Sequence, residues 1–253
     1  MTISFFTIAA SAEANELLGR VEALDRVSIV AEVSGVIDKL LLQVGEPVEQ
    51  NQEIALIKET DFKLNLSMSE ESLILTEANY SLHKSNFERS KKLIDNNSIS
   101  NSELELSHTE LLRSQASLAI ARIKYERSKQ ALNDTKIASP ISGYISRKVV
   151  DSGAWVDEGD LIYEVVNIDR VTVVLMASEH DLTHLRVGQE IVIWSEVEPN
   201  IKLTSTVHRI GSDMDLNSQT YSVFVDIENS NSSYKPGMSM YASTNFSQII
   251  DDQ

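Results

Sequence analysis

Ala31-Glu-Val-Ser-Gly-Val-Ile37 begins a short pattern that returns 108 residues later as Ser139-Pro-Ile-Ser-Gly-Tyr-Ile145. The alignment continues without a gap, because Gly45-Glu-Pro-Val48 of the first copy matches Gly153-Ala-Trp-Val156 of the second. In each copy apolar residues are interspersed with polar ones between glycines, which indicates short β-strands. Neither copy is long enough to bury a face alone, so we expect the two copies to pair as the halves of one β domain.

The downstream ends of the copies, Ile54-Ala-Leu-Ile57 and Ile162-Tyr-Glu-Val165, determine the path of the chain between them. Asn51 precedes the first end and Gly159 the second, and both residue types tolerate a positive φ, which predicts the same tight turn in each copy. Pairing of the copies brings Ile57 close to Lys136. Everything between these two positions must therefore leave the β domain and return to it.

The segment between the copies, residues 60–134, has a helical period and contains no Gly or Pro. Large apolar side chains recur every seven residues in two runs, which are Leu66, Leu73, Tyr80, Phe87 and Ile94, and then Leu104, Leu111, Leu118, Tyr125 and Leu132. Heptads of this length predict an antiparallel coiled coil of two helices. The companion positions are small or polar, for example Ser69, Thr76 and Ser114. We therefore expect an arm that is only marginally stable without neighbours.

The polar segment Asp95-Asn-Asn-Ser-Ile-Ser-Asn101 lies between the two heptad runs and predicts the turn of this hairpin. Ser100 and Glu103 have the spacing of a capping box, which predicts that the second helix begins just after Ser100. Each helix would contain about 35 residues and span roughly 50 Å, at about 1.5 Å per residue.

From Asp169 onward the sequence again favours short strands. Tyr221, Val223, Val225 and Ile227 alternate with polar residues, which is typical of a half-buried strand. We predict further strands over 171–177, 190–194 and 203–210, a last strand that ends at Phe246, a short helix over 179–185, loops at 211–215 and 230–233, and a turn at 235–238. Short strands separated by turns about every ten residues predict a small β-barrel.

The composition excludes several classes of function. A net charge of −16 argues against nucleic-acid binding and against broad adsorption to anionic lipid, since both need a basic surface. The chain contains no Cys, which excludes disulfides, thiolate catalysis and Cys-based zinc sites. No run of about 18 apolar residues occurs, so no segment is expected to span a membrane.

The first residues have features of a targeting sequence. Ile3-Ser-Phe-Phe-Thr-Ile-Ala-Ala10 is a short apolar stretch that leads into Ala10-Ser-Ala12, the small-x-small pattern that ends a secretory signal. The basic region that normally comes first is missing, since no Lys or Arg precedes Arg20. One hypothesis is a signal remnant whose true start lies upstream and which is cleaved after Ala12. The other is a plain first strand.

These features together resemble the periplasmic adaptors, also called membrane fusion proteins, of resistance-nodulation-division (RND) tripartite efflux pumps, within the wider HlyD-like family. The resemblance covers roughly residues 16–246. It rests on the paired half-motifs, the inserted hairpin, the segment from Glu179-His-Asp-Leu182 through Leu185 to Gly188, and the Pro236-Gly-Met238 turn.

The resemblance implies a multidomain fold that is mainly β plus α. A split lipoyl-like β-sandwich with an inserted antiparallel coiled-coil hairpin is followed by a small antiparallel β-barrel. The predicted domains are an N-terminal segment at 1–26 that includes a strand joining the barrel, the lipoyl-like halves at 27–59 and 136–168, the hairpin at 60–135, the barrel at 169–247 and a tail at 248–253. Family members usually build a further membrane-proximal domain from segments before and after these, and we expect that domain to be absent or reduced here.

The resemblance also implies a binding site at the hairpin tip, where family adaptors dock onto an outer-membrane channel. The family motif is Arg, then Leu four residues later, then Ser seven further on, and Arg89, Leu93 and Ser100 keep that spacing. Arg89 and Leu93 lie one helical turn apart, where Arg can bond carbonyls or carboxylates of a partner and Leu offers an apolar contact. The alternatives are a solvated Arg89, a Leu93 that packs in the coil, and a Ser100 that serves only as the helix cap.

Sites for a cofactor or a metal ion were weighed against simpler interpretations. Lipoyl carrier domains hold their lysine at the tip that joins the two halves, and here the coiled coil replaces that tip. Lys39 is therefore interpreted as a solvated side chain rather than a carrier. His180 and His184 are four residues apart with Glu179 adjacent, which could place metal ligands on one helical face, but we favour a short helix of the barrel.

Two further groups of titratable residues stand out. His83 and His108 would lie along the arm and could approach each other between the helices, which would give a pH-sensitive contact. Asp213 and Asp215 form a carboxylate pair in a predicted loop. No base, nucleophile or oxyanion device accompanies them, so we favour a solvated turn.

We therefore predict a non-catalytic periplasmic adaptor, with no cofactor and no metal. It would link an inner-membrane RND transporter to an outer-membrane channel for export of small molecules. It would act as a homo-oligomeric ring, a trimer or a hexamer, held at the inner membrane of a Gram-negative cell through its partner. The alternatives are an adaptor of an ATP-driven exporter, or a scaffold without a transport role that keeps a degenerate lipoyl domain.

Overall fold

The computed structural model describes residues 16–96 and 98–244 of the chain. These fall into two compact units, one made of 28–141 and 145–164, and the other of the described residues in 1–27, 142–144 and 165–253. The signal-remnant hypothesis for the first 12 residues and the predicted strand end at Phe246 lie outside the described residues. The mainly β plus α fold class, with one long helical hairpin, is confirmed.

The two copies of the repeated pattern form the β part of the first unit, except for 142–144 of the second copy, which belong to the other unit. The first copy contains β2 (Gly35–Leu40), β3 (Pro47–Val48) and β4 (Glu53–Ile57), and the second contains β5 (Lys136–Ala138), β6 (Gly143–Lys148) and β7 (Trp155–Val156). One antiparallel sheet has the order β5-β4-β2-β7, so each copy contributes strands to it. Leu56 is opposite Lys136, which confirms that the two ends of the hairpin meet at this sheet.

Backbone hydrogen bonds join the two copies in reciprocal pairs. The N–H of Gly45 donates to the carbonyl of Ile145 at 2.8 Å, and the N–H of Gly153 donates to the carbonyl of Ile37 at 2.8 Å. Donor and acceptor are exchanged between equivalent positions of the two copies. The pairing predicted from the repeat is therefore an approximately two-fold arrangement.

The turns that follow confirm the predicted equivalence of Asn51 and Gly159. Their φ values are 64° and 93°, the left-handed region that Asn and Gly tolerate best. The N–H of Asn51 donates to Ser139 at 2.7 Å, and the N–H of Gly159 donates to Ala31 at 2.8 Å, again as a reciprocal pair. The same turn therefore closes each half onto the start of the other.

The core of this β part is fully enclosed. Its side chains with at most 1% exposure include Ile37, Ile54, Ile57, Ile145, Val156, Ile162 and Tyr163. Tyr163 stands where the first copy has Ala55, and its hydroxyl donates to the carbonyl of Leu42 at 2.7 Å. The two halves thus share a backbone pattern but fill their common core with side chains of different size.

The hairpin consists of α1 (Thr60–Asp95) and α2 (Asn101–Asn133), as the heptads predict. Every residue of the two heptad runs is half-buried, and so are most of the small companions. Ser114 and Ala121 are buried, with 8 and 5% exposure. The hydroxyls of Ser69 and Ser114 donate to the carbonyls of Leu66 and Leu111, three residues earlier on their own helices. We call the surface where the heptad residues of the two helices meet the seam. Hydroxyls in the seam are thereby satisfied within each helix, and the seam needs no hydrogen bond between helices.

The second unit is a curved antiparallel sheet with the order β10-β9-β13-β1-β8-β12-β11. Its strands are β1 (Leu17–Val30), β8 (Leu161–Ala177), β9 (Glu190–Ser195), β10 (Lys202–Thr206), β11 (Arg209–Asp215), β12 (Thr220–Glu228) and β13 (Ser239–Ser243), of which β1 and β8 also extend into the first unit. The sheet curls so that Ser205 Oγ of β10 donates to the carbonyl of Asp226 of β12 at 3.0 Å. Its core contains Val173, Leu175 and Val225, all fully buried.

Three local predictions for this unit are corrected. The predicted helix over 179–185 is only α3 (Glu179–Leu182), because N–H groups beyond it bond three residues back and tighten the last turn. The predicted strand over 203–210 is two strands that separate at Val207 and His208. The predicted loop at 211–215 belongs to β11, where a bulge between Ile210 and Met214 accommodates it.

Candidate functional site

The far end of the hairpin is a tight, polar turn. The N–H groups of Asn96 and Ser98 both donate to the carbonyl of Leu93, at 3.2 and 3.0 Å. The side-chain amide of Asn96 donates to the carbonyl of Lys92 at 3.2 Å. The last carbonyls of α1 are thereby satisfied locally, which ends the helix at Asp95 and holds Leu93 in place.

Ser100 caps the second helix, as the spacing of Ser100 and Glu103 predicts. The N–H of Glu103 donates to Ser100 Oγ at 3.3 Å, and the N–H of Ser100 donates to Glu103 Oε2 at 3.0 Å. The Ser100 hydroxyl is also 2.9 Å from that of Ser102. Ser100 is exposed, but its side chain is already engaged in the cap.

Arg89 and Leu93 lie one turn apart near the end of α1, and both are exposed. Leu93 is 38% exposed, whereas the adjacent Ile94 is half-buried in the seam, so Leu93 does not belong to the coil core. Within the described ranges, the side chain of Arg89 has no hydrogen bond or ion pair. A role of Arg89, Leu93 and Ser100 in docking stays a prediction.

Two features near the tip were not recognised from the sequence. The end of α1 is cationic, because Lys84, Arg89, Lys91 and Lys92 outnumber Glu88 and Asp95 in a chain whose net charge is −16. A charge count by segment would have found it. The second feature is a row of exposed apolar side chains along α1, made of Met68, Leu75 and Leu82 at 72, 63 and 56% exposure.

We call Met68, Leu75 and Leu82 the flank row. Its members are seven residues apart, and the next position in the series is Arg89. Residues at a constant heptad position stay on one side of a supercoiled helix, so the flank row and Arg89 share one flank of the arm. The spacing that predicts the seam also contained this row, but seven-residue periodicity alone does not show which row is buried.

The other candidate groups find local partners. The rings of His180 and His184 pack in a T-shape with centroids 5.6 Å apart. No cluster of three or more possible metal ligands occurs in the part of the chain that the structure describes. Asp213 accepts from the N–H of Met214 at 3.0 Å. Asp215 accepts from the N–H of Asn217 at 2.8 Å and so shapes the turn after β11. Lys39 is exposed in β2.

The contact between His83 and His108 that the sequence left possible is not formed in the described part of the arm. The ring of His108 lies instead against Phe87, with centroids 5.0 Å apart. His83 Nδ1 lies 3.5 Å from Glu110 Oε2. The register between the helices places each histidine opposite a different residue of the other helix.

None of the helices in 16–96 and 98–244 is both long enough and apolar enough to cross a bilayer.

Comparison with known proteins identifies both units. Residues 25–167 match the family model described as "RND MFP, barrel-sandwich hybrid domain", and residues 170–248 match the "CusB-like, beta-barrel domain". The antibiotic efflux pump periplasmic linker protein ArpA of Pseudomonas putida is 30% identical over 174 residues, 68% of this chain and 43% of ArpA. The multidrug resistance protein MdtA of Photorhabdus laumondii is 22% identical over 175 residues, 68% of this chain and 44% of MdtA. The chain thus spans less than half the length of these relatives.

Solved structures show the same fold. The membrane fusion protein Spr0693 of Streptococcus pneumoniae superposes with a TM-score of 0.71 at 18% identity, covering 90% of this chain and 97% of that one. A MacA-MexA chimera that contains the α-hairpin domain of Pseudomonas aeruginosa MexA superposes with a TM-score of 0.66 at 21% identity, covering 90% and 77%. With the match over 25–167, which is more than half of its residues, this chain belongs to the RND membrane fusion protein family.

Proposed function

We propose that this chain is a non-catalytic periplasmic adaptor that links an inner-membrane RND transporter to an outer-membrane channel for export of small molecules. The observation that carries the proposal is the exposed tip of the hairpin. The tip ends an arm of 36-residue and 33-residue helices that starts from a densely hydrogen-bonded β part. At about 1.5 Å per residue, the arm extends roughly 50 Å. Such an arm holds a contact surface at a distance and offers no catalytic chemistry.

Docking onto the channel would use Arg89, Leu93 and Ser100. Leu93 supplies exposed apolar area at the end of α1. This helix end is held in place because the Leu93 carbonyl accepts hydrogen bonds from the turn. Arg89, one turn below it, offers five donors in a planar fork that suits the carbonyls or carboxylates at the end of a partner helix. The cationic end of α1 would attract an acidic partner surface and increase the rate of association.

A pull-down against an outer-membrane channel protein from the same cell tests the docking proposal. Leu93→Asp and Arg89→Asp should each lose binding. The matched controls are Ile123→Asp and Arg113→Asp, because Ile123 and Arg113 are also exposed on the hairpin but lie on α2, away from the turn. Equal binding by wild type and both tip variants would contradict the proposal. An equal loss of binding in the controls would show that any change of charge on the arm disrupts binding, and would contradict a specific role of the tip.

Ser100 needs a test that separates capping from docking. Asp also caps a helix well, so Ser100→Asp should keep the stability of α2, whereas Ser100→Ala should lower it by about 1 kcal/mol. If Ser100 contacts the channel, Ser100→Asp should weaken binding although the helix remains capped. If its role is only the cap, Ser100→Asp should bind like the wild type and Ser100→Ala should be the weaker of the two.

We further propose that several copies assemble into a ring, with their hairpins side by side. The flank row supports this, since three large apolar side chains at a constant heptad position would be covered by a neighbouring helix. Closed symmetric assembly would cover this row on every copy. Leu82→Asp should shift the sedimentation of the chain towards monomer, while Ile123→Asp should not. If Leu82→Asp and wild type sediment as the same oligomer, the proposal that the flank row is an interface is contradicted.

The type of transporter is the remaining choice. The family model matched by residues 25–167 favours an RND partner over an ATP-driven exporter. Cross-linking in cells followed by purification of this chain should recover an RND transporter. Recovery of an ATP-driven exporter would favour the second class of adaptor, and recovery of neither would favour a scaffold without a transport role.

A further inference from the structure

His83 has an unusual position in the seam of the hairpin. It occupies the companion row of α1, whose other members Ser69, Thr76 and Ser90 are small. The small hydroxyl groups of Ser69 and Thr76 bond back to carbonyls of their own helix. An imidazole ring has no such option, because its nitrogens project away from the helix backbone.

One ring nitrogen of His83 is therefore left without a partner. Among the residues that the structure describes, its Nδ1 is the one side-chain nitrogen or oxygen that is both buried and without a hydrogen bond. The side chain as a whole is 32% exposed, so the ring edge reaches solvent while Nδ1 does not. A covered polar atom without a partner is unfavourable in the neutral ring.

The atom that faces this nitrogen is an oxygen of Glu110, a residue of α2. Glu110 Oε2 is 3.5 Å from His83 Nδ1, which is beyond good hydrogen-bond distance but close enough for an ion pair. If Nδ1 carries no proton, its lone pair faces a carboxylate, which is repulsive. A neutral ring with its proton on Nδ1 makes only an uncharged donor's weaker hydrogen bond to the carboxylate. If the ring is protonated, both nitrogens are donors, and a small movement completes a stronger, charge-assisted hydrogen bond.

The other charged groups nearby do not replace this contact. Lys84 lies over the Tyr80 ring, with Nζ 6.0 Å from the centroid. His108 of α2 packs on Phe87. Arg113, three residues after Glu110, forms no ion pair with Glu110 in the described part of the arm. Glu110 is therefore the one anion placed at His83 Nδ1 by the two helices that surround it.

We propose that His83 and Glu110 form a protonation-dependent link between the two helices, open or weakly bonded when His83 is neutral and closed by a charge-assisted hydrogen bond when it is protonated. Lowering the pH favours the protonated ring and therefore closes the link. The link lies 12 residues before the end of α1, roughly 18 Å below the turn. Closure joins the helices just below the tip and stabilises the distal part of the arm.

Thermal melting followed by helical circular dichroism tests the link in the full chain, since α1 and α2 contain nearly all helical residues of the described ranges. The melting midpoint of wild type should be higher at pH 5.5 than at pH 7.5 by about 2 to 4 °C, the size that one modest interaction has in a chain of this length. His83→Gln and Glu110→Gln should each remove the difference. His108→Gln, the matched control, should keep it.

A cationic replacement keeps the test decisive if the Gln variants are unstable. His83→Lys should melt at the same temperature at both pH values, because its charge does not change. In addition, the NMR signal of an Nδ1-bound proton should be visible at pH 5.5 in wild type and absent in Glu110→Gln. A wild type without pH dependence, or a dependence that survives in both His83→Gln and Glu110→Gln, would overturn the proposal.

A consequence for docking rests on the proposed function and is tested separately. If the closed link favours the tip geometry that the channel binds, the pull-down should recover more channel at pH 5.5 than at pH 7.5, and His83→Gln should remove the gain. Loss of channel binding at both pH values with an intact pH effect on melting would contradict the docking role and leave the link standing.

Discussion

The β part of the first unit and the hairpin that leaves it contrast in how they are stabilised. In the β part, Ile37, Ile54 and Ile145 are at most 1% exposed, and reciprocal backbone hydrogen bonds join the two halves. In the hairpin, the large seam residues are only half-buried, and the two buried residues of α2, Ser114 and Ala121, are small. The β part encloses its own core, whereas two helices alone cannot cover theirs.

This contrast shows why the two regions can serve different roles. A self-enclosed β part keeps its geometry without help, because most of its apolar surface is already buried. An arm with a half-buried seam and an exposed flank row gains the most from neighbouring helices. The different degrees of burial therefore explain why the β part is stable by itself and why the hairpin can adapt to its neighbours.

The largest expected effect is in the enclosed core. Ile37→Ala and Ile145→Ala occupy equivalent positions of the two halves, and each should lower the free energy of unfolding by about 2 to 5 kcal/mol. Leu73→Ala in the half-buried seam should lower it by only about 1 kcal/mol. Urea unfolding should be followed by Trp155 fluorescence in a Trp194→Phe background and by helical circular dichroism. Lys39→Ala, at an exposed position, is the control. Similar losses of stability in the two core variants and in Leu73→Ala would contradict the difference between an enclosed β part and a half-buried seam.

The next effect distinguishes two glycines that the repeat makes equivalent. A Cβ at Gly143 would overlap the carbonyl oxygen of Val166 and lie 2.8 Å from its carbon. A Cβ at Gly35 would instead meet side-chain atoms, Cγ2 of Ile57 at 2.6 Å and Cε2 of Phe62 at 3.9 Å. A side chain can move more easily than a backbone. Gly143→Ala should therefore cost about 3 kcal/mol in stability and Gly35→Ala about 1 kcal/mol. Thermal melting of both variants measures the two losses of stability. A larger loss for Gly35→Ala than for Gly143→Ala would contradict the prediction.

Tyr163 provides a test at alkaline pH. Burial raises the pKa of its hydroxyl above the ordinary value of about 10, and Glu46 adds to the rise. As the pH rises past about 10 the unfolded chain loses this proton first, so the folded state loses stability there. Tyr163→Phe should lower the free energy of unfolding by about 1 kcal/mol at pH 8, because the hydrogen bond to Leu42 is lost. Between pH 8 and 10.5, the stability of this variant should fall by less than that of wild type. Urea midpoints at both pH values test this, and parallel curves would contradict it.

The smallest effect belongs to the surface of the arm. Arg122 is 3.7 Å from Glu77 across the helices, and both side chains are at least half exposed. Solvent screens such a pair, so Glu77→Gln should change the stability by less than about 0.5 kcal/mol, and added salt should reduce even that. Helical melting at low and high salt is the measurement. A loss comparable to Leu73→Ala would mean that charge, rather than the seam, holds the arm together.

Much of the fold could be predicted from particular residues. The gapless repeat of Gly45 and Gly153 predicted paired halves, because equivalent short strands without a core of their own must share one. The seven-residue spacing from Leu66 to Leu132 predicted both helices, and Ser100 with Glu103 predicted where the second helix begins. These patterns are local or strictly periodic, so the chain order already contains them.

Other features depended on contacts that no local pattern encodes. The bulge in β11 arises from its pairing with β12, and sequence turn preferences placed a loop there instead. The partners of His83 and His108 depend on the register between the two helices, which no local pattern within either helix specifies. The tip residues Arg89 and Leu93 could be named from their spacing, but their exposure depended on which heptad rows the two helices bury against each other.

The order of residues alone was sufficient for the architecture: two half-motifs, an arm between them and a second β unit, because repetition and periodicity are properties of the sequence. The three-dimensional structure was needed to separate the seam from the flank row, since both repeat every seven residues and only packing buries one of them. It was also needed to place Glu110 at His83 and to leave Nδ1 without a hydrogen bond. Periodicity specifies which residues share a face, and the register of packed elements specifies what that face meets.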